Sequence, residues 1–241
     1  MTDNARNESD KLSGGSLTID TVKPVVGEVT AITEKTNSPA YILRSTEAGT
    51  NSYGGSCGSS STSATSSGLD NVTIILTQPD NSTALALSDA TSYSTCTITV
   101  TDSAGNPSTG LRVNTFVLDT TAPTVSATSP TNDNSSVSVS DNISVTFSES
   151  MDNTSVTTNT SNTTCSGSLQ LSSDSFSTCV QMSSSPSSSS NAYPDDTFTV
   201  TPSLKMFYST TYKLRVTIDV KDSAGNNIAN SDNLTQTDGF K

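Results

Sequence analysis

The stretch from Asp102 to Val125, DSAGNPSTGLRVNTFVLDTTAPTV, constrains this chain more than any other part of it. Its opening, Asp102-Ser103-Ala104-Gly105-Asn106, has the chemistry of a tight hairpin loop. Glycine takes positive φ without a steric penalty, and Asp and Asn side chains hydrogen-bond nearby backbone. Leu111, Val113 and Thr115 then alternate with outward positions, as in a half-buried strand. Pro123 lacks an amide donor and stops that strand from simply continuing. The stretch reads as a turn, a strand and a joint.

It recurs. Asp3, Ala5, Asn7, Ser9, Leu12, Asp20, Thr21, Pro24 and Val26 fall without a gap opposite Asp102, Ala104, Asn106, Ser108, Leu111, Asp119, Thr120, Pro123 and Val125. The first copy differs in its turn, where Arg6 stands in the place of Gly105. A third, looser copy runs from Asp222-Ser223-Ala224-Gly225-Asn226 to Leu234 and Asp238. Such recurrence is the signature of a tandem array and predicts a fragment of something longer. Residues 1–19 then read as the severed last strand of a preceding repeat or a disordered tail. Residues 20–119 form a first domain and residues 120–241 a second.

Ser, Thr and Asn dominate the chain, and hydrophobic residues make up only 31% of it, a proportion that ordinarily favours disorder. Val/Ile/Thr alternations and four cysteines argue the other way. The net charge of −12 excludes nucleic acid and anionic membrane as natural partners, while it suits solubility and divalent cations. No apolar run is long enough to span a membrane, and Met1 is not followed by the apolar core of a signal peptide. A secretion signal, if there is one, is expected outside this fragment. Cys57 and Cys96 fall in the first domain, Cys165 and Cys179 in the second. Neither spacing is that of a redox pair or a zinc knuckle, and the chain has no histidine. One disulfide per domain is the simpler reading, and it implies an oxidising compartment.

Short alternating strands punctuated by turns fill both domains. In the first they are predicted at Val25–Thr30, at Ala40–Ser45 with Tyr41 and Leu43 on one face, and around Val72, Ile74 and Leu76. The strongest runs from Tyr93 to Val100. Gly54-Gly55 suggests a bulge or a close backbone approach, and Leu85 and Leu87 are expected to tuck a long loop onto the core. In the second domain, strands are predicted at Thr124–Ser129, Ile143–Phe147 and around Phe198 and Val200. A hairpin is expected between Cys165 and Cys179, and a long strand from Tyr212 to Val220. The Ser183–Ser190 run reads as an exposed mobile loop. Tyr93 precedes Cys96 about where a tyrosine corner sits in Greek-key sandwiches, yet no tryptophan exists to pack on a disulfide. The fold class is therefore all-β: two tandem Ig-like Greek-key β-sandwiches arranged end to end, and not of the antibody type.

These residues also carry a family likeness. From Thr121-Ala122-Pro123, through Phe147-Ser148-Glu149-Ser150-Met151-Asp152, to the Asp222–Asn226 turn, the second domain resembles the bacterial Ig-like domain first named from S-layer proteins. The first resembles a neighbouring class of bacterial Ig-like repeat, through Ser45–Thr50, Tyr53–Cys57 and Cys96–Asp102. The resemblance implies a stalk or spacer in a large bacterial cell-surface or secreted adhesin, with neighbouring repeats of the same parent chain as its partners. Such modules also stand beside enzymes, so architecture alone does not settle the role.

Catalysis finds little support in the residues. Without histidine, Ser-His and Cys-His nucleophile systems are excluded, and a chain with 5% aromatics and no tryptophan lacks the stacking surface usual for sugar hydrolysis. A metal is the sharper reading. In an Ig-like sandwich the N-terminal joint, the loop after the second strand and the loop before the last strand gather at one end. Those places hold Asp20, Glu47 and Asp102 in the first domain, and Asp119, Glu149, Asp152 and Asp222 in the second. Converging carboxylates and loop carbonyls suit Ca²⁺, which takes six to eight oxygens. The competing reading is that Asp102 and Asp222 only close Asx-type turns while the glutamates are solvated. Two functions follow: a calcium-stiffened spacer, or an adhesive module binding a glycan or protein ligand through its Ser-rich loops. An exposed aromatic patch near Tyr193 or Tyr208 would favour the second.

Overall fold

Alternation of apolar residues with Ser and Thr builds the strands. The computed structural model of the chain describes residues 19–64, 70–79, 87–188, 196–229 and 236–241. The expectations for residues 1–18, Leu85 and Tyr193 lie outside the described residues. The first half holds β1 (Val26–Thr30), β2 (Lys35–Thr36), β3 (Ala40–Ser45), β4 (Gly49–Gly54) and β5 (Ser63–Ala64). These are followed by β6 (Val72–Ile75), β7 (Thr91–Tyr93), β8 (Thr97–Thr101), β9 (Leu111–Arg112) and β10 (Phe116–Leu118). The second half holds β11 (Val125–Ser129), β12 (Ile143–Phe147), β13 (Leu169–Ser172), β14 (Ser187–Ser188), β15 (Thr197–Val200) and β16 (Lys213–Val216). No described residue is helical, and the fold is all-β.

In the first half the sheets run β1-β3-β6, β5-β4-β8-β9 and β2-β10-β7. Antiparallel pairing puts Tyr41 opposite Ile74 and Asn51 opposite Val100, while β10 runs parallel to β2 with Val117 opposite Lys35. Tyr41, Leu43, Ile74, Ile98 and Phe116 are fully buried between these sheets, around Cys57 and Cys96. In the second half the sheets run β11-β12-β15-β14 and β13-β16. Ile143, Val145, Phe147, Phe198, Val200, Leu214 and Val216 form a separate core that extends to Phe240. The predicted inward faces of β3, β12 and β15 are the buried ones.

Four predicted elements differ. Tyr93 to Val100 is not one strand: β7 ends at Tyr93, Ser94–Cys96 cross over, and β8 begins in another sheet. The same happens at Leu111–Thr115, where β9 gives way to β10 and Val113 donates to the Cys96 carbonyl (3.0 Å) in the crossing. Each crossing lets one segment serve both layers of the sandwich. Cys165–Cys179 is not a hairpin, because β13 pairs with β16, Leu169 opposite Val216 and Leu171 opposite Leu214. The strand from Tyr212 stops at Val216, since Thr217 and Asp219 bond to each other in a turn that turns Ile218 outward. Part of the Ser183–Ser190 run is also ordered. Ser187 and Ser188 pair with Thr199 and Phe198 as an edge strand, for which small side chains suffice.

The disulfides join Cys57 to Cys96 and Cys165 to Cys179, as the sequence predicts. The tyrosine corner is present twice. The Ser88 N–H donates to the Tyr93 hydroxyl (2.7 Å), and the Phe207 N–H donates to the Tyr212 hydroxyl (3.0 Å). Tyr93 stacks on Phe116 and Tyr212 on Phe240, so the two halves share one construction.

Candidate metal centres at the joints

The recurring turn has the same geometry in both halves. One carboxylate oxygen of Asp102 accepts from the N–H groups of Ala104 (2.9 Å) and Asn106 (2.8 Å). Its other oxygen accepts from the Asn106 side-chain amide (2.9 Å). Asp222 repeats this with Ala224 (2.8 Å), Asn226 (2.8 Å) and the Asn226 amide (2.8 Å). Gly105 and Gly225 stand at φ 91° and 97°, a conformation glycine alone adopts freely. The Asx turn is real, and it reaches further than the sequence suggests. The Asn106 amide also donates to the Asp20 carbonyl (3.1 Å), and the Asn226 amide to the Asp119 carbonyl (2.9 Å). Each turn thus grips the joint that opens its own half.

That grip brings carboxylates together. Carboxylate oxygens of Asp20, Glu47 and Asp102 lie within 4.8 Å of one another, and so do those of Asp119, Glu149 and Asp222. Two oxygens each about 2.4 Å from one ion are at most about 4.8 Å apart, so both sets fit a single Ca²⁺ with room for further oxygen ligands. The donor set is hard oxygen throughout, as Ca²⁺ requires. Six of the seven predicted carboxylates gather in this way. Asp152 does not: its Oδ1 accepts from the N–H (2.9 Å) and hydroxyl (2.7 Å) of Thr154, closing a turn of its own.

Within each set the residues divide their work. Asp102 and Asp222 are buried and tied into the turn. Among the described residues, no hydrogen bond reaches the carboxylate of Glu47 or of Glu149, so repulsion from the neighbouring aspartates falls on them. Desolvation first, then the charges of Asp119 and Asp222, push Glu149 up to about 7, against the pull of Lys35. Desolvation and the charges of Asp20 and Asp102 raise Glu47 as well. Asp102 lies below the usual carboxylate range, chiefly through the Asn106 N–H.

Residues the sequence did not single out complete the second joint. Lys35, at the start of β2, approaches Asp119 to 4.0 Å, and the Asn37 N–H donates to the Ala224 carbonyl (3.3 Å). Asp89 accepts from the backbone and hydroxyl of Thr120 and from the hydroxyl of Thr121. These come from distant segments, and no local signal marks them.

Residues 119–237 match the family model for the bacterial Ig-like domain. The match spans just under half of the chain, and it is the second half that is similar to that family. The match begins at Asp119, the carboxylate that opens the second joint, and takes in Glu149 and Asp222. A bacterial Ig-like domain is in keeping with a structural rather than a catalytic role. No curated protein matches the chain in sequence. Among solved structures, the chain is similar to the N-terminal part of the bacterial S-layer protein SbsC, at 19% identity and a TM-score of 0.34. That similarity spans 48% of this chain and 22% of the S-layer chain.

Proposed function

We propose that this chain is a pair of non-catalytic spacer repeats from a bacterial cell-surface or secreted adhesin, with each joint stiffened by Ca²⁺. The observation that carries the reading is the duplicated joint. The same Asx turn, asparagine bridge and three-carboxylate set occur at both places where a half begins. The donor set at each joint is three carboxylates, hard oxygen ligands of the kind that suit a structural Ca²⁺. Two disulfides fit the oxidising environment of an exported protein. The expected partners are neighbouring repeats of the parent chain.

An ion bound only by the folded form raises stability by about 2.7 kcal/mol per site at a hundredfold excess over its dissociation constant. Thermal unfolding of the whole chain in Ca²⁺ and in chelator is therefore the test. The melting temperature should rise with Ca²⁺ in the wild type and stay level in a Glu47→Gln/Glu149→Gln variant. An equal rise in both would place the ion elsewhere, and no rise in the wild type would end the calcium reading.

A further inference from the structure

The parallel pairing of β2 with β10 fixes where Lys35 can reach. Lys35 lies opposite Val117 and Thr36 opposite Leu118, and the Asp119 N–H donates to the Thr36 carbonyl (2.9 Å). Side chains alternate between the two faces of a strand, and here Thr36 and Leu118 take the buried face. Lys35, Val117 and Asp119 share the outer one. Just past β2, the Asn37 N–H donates to the Ala224 carbonyl (3.3 Å) in the recurring turn of the second half. Backbone bonds to both halves hold the stem of Lys35 beside the second carboxylate set.

The ammonium ends 4.0 Å from Asp119 Oδ2, and its charge reaches Glu149 as well. Among the described residues it makes the only ion pair. It comes from the half that precedes the joint, whereas Glu149 and Asp222 belong to the half that follows. One positive charge offsets only part of what three carboxylates build up. The Lys35 side chain is 39% exposed, against 15% for Asp119. The ammonium can therefore swing into water on its flexible stem while the carboxylates stay in place. A divalent cation needs the same oxygens, and one coordinated by Asp119 would stand next to the ammonium. Like charges that close repel, so the two cations exclude each other.

We propose, on the calcium reading of the joints, that Lys35 is the resident counter-ion of the Asp119/Glu149/Asp222 set, is displaced when Ca²⁺ enters, and thereby sets the calcium affinity of that joint. The ion-free joint keeps part of its hold, because the ammonium links the two halves. Calcium takes over only once its concentration is high enough to displace that ammonium. A surface ion pair with no such role would add a little to folding stability and leave ion affinity untouched.

Calorimetric titration of the whole chain with Ca²⁺ is the experiment. A Glu47→Gln background removes a ligand of the first set, so that the second is read alone, and Glu149→Gln does the converse. In the Glu47→Gln background, Lys35→Gln should tighten Ca²⁺ binding about fivefold, the equivalent of about 1 kcal/mol for an exposed ion pair. Lys35→Arg keeps the charge and should keep the affinity of the lysine form. The gain from Lys35→Gln should shrink as added salt screens the charges. In the Glu149→Gln background, Lys35→Gln should leave binding at the first set unchanged. Equal affinity of the second set with and without Lys35→Gln would overturn the proposal and leave the calcium reading standing. A gain of the same size at the first set would also overturn it, since that is a general effect of net charge. Absence of Ca²⁺ binding at both joints would end the proposal and the calcium reading together.

Discussion

At the scale of single residues, the aspartates and glutamates of the joints do different things. Asp222 satisfies two backbone N–H groups and the Asn226 amide while buried. Asp222→Ala removes the acceptor for all three, and a buried donor left unpaired costs about 1–3 kcal/mol. Urea unfolding in chelator should show a loss of that order for Asp222→Ala, whereas Glu149→Gln should hold or gain stability. Glu149 also sets a pH dependence. Burial and the neighbouring carboxylates push its pKa in the folded protein up to about 7, so between the ordinary glutamate range and that value the folded state holds the extra proton. Stability in chelator should therefore fall as pH rises from about 4.5 to 7, and Glu149→Gln should flatten that slope. Melting temperature across this range is the check. A wild-type slope no steeper than that of the variant would contradict the assignment. The turn aspartates and both glutamates were legible because turn chemistry is local and the repeat aligned them. Lys35 and Asp89 were not, because only the folded chain brings β2 and the tyrosine-corner loop to the second joint. Asp152 misled because its loop closes a turn onto Thr154 away from the carboxylates of Asp119, Glu149 and Asp222.

Strands and loops tell a similar story at the next scale. Alternation identified Ile143–Phe147 to the residue, but it did not reveal where a segment changes sheets. Tyr93 and Cys96 are both buried, and so are Val113 and Phe116, with the crossing hidden between them. A period of two continues on either side of such a crossing, so pattern alone joins what the fold separates. Pairing partners were equally hidden: a hairpin between Cys165 and Cys179 was the local reading, but nothing local pointed to β16 as the partner of Leu169 and Leu171. The tyrosine corner was legible at Tyr93 through its nearness to Cys96. Its twin at Tyr212 has no such neighbour and emerged from hydrogen bonding alone. The two corners give a paired prediction. Tyr93→Phe and Tyr212→Phe each keep the ring stack but leave the Ser88 or Phe207 N–H without its acceptor. Each should cost about 1 kcal/mol in chemical denaturation. A cost at one corner and none at the other would show that the two loops are not mechanically alike.

For the molecule as a whole, stability and stiffness come from different places. Each half has its own core and its own disulfide, so neither needs the other to bury its apolar residues. Polar contacts link them: Asp89 to the threonines, Asn37 to Ala224, and Lys35 to Asp119. Without a cation, Asp119, Glu149 and Asp222 repel one another beside these contacts. An ion shared among them replaces repulsion by coordination and holds the second half to its joint. The most direct test is small-angle scattering from the monomeric chain in Ca²⁺ and in chelator, for wild type and Glu149→Gln. The account predicts a longer, narrower wild-type particle with Ca²⁺, and a variant whose profile does not respond. Identical wild-type profiles with and without the ion would contradict it, leaving the joint to its hydrogen bonds and Pro123 alone.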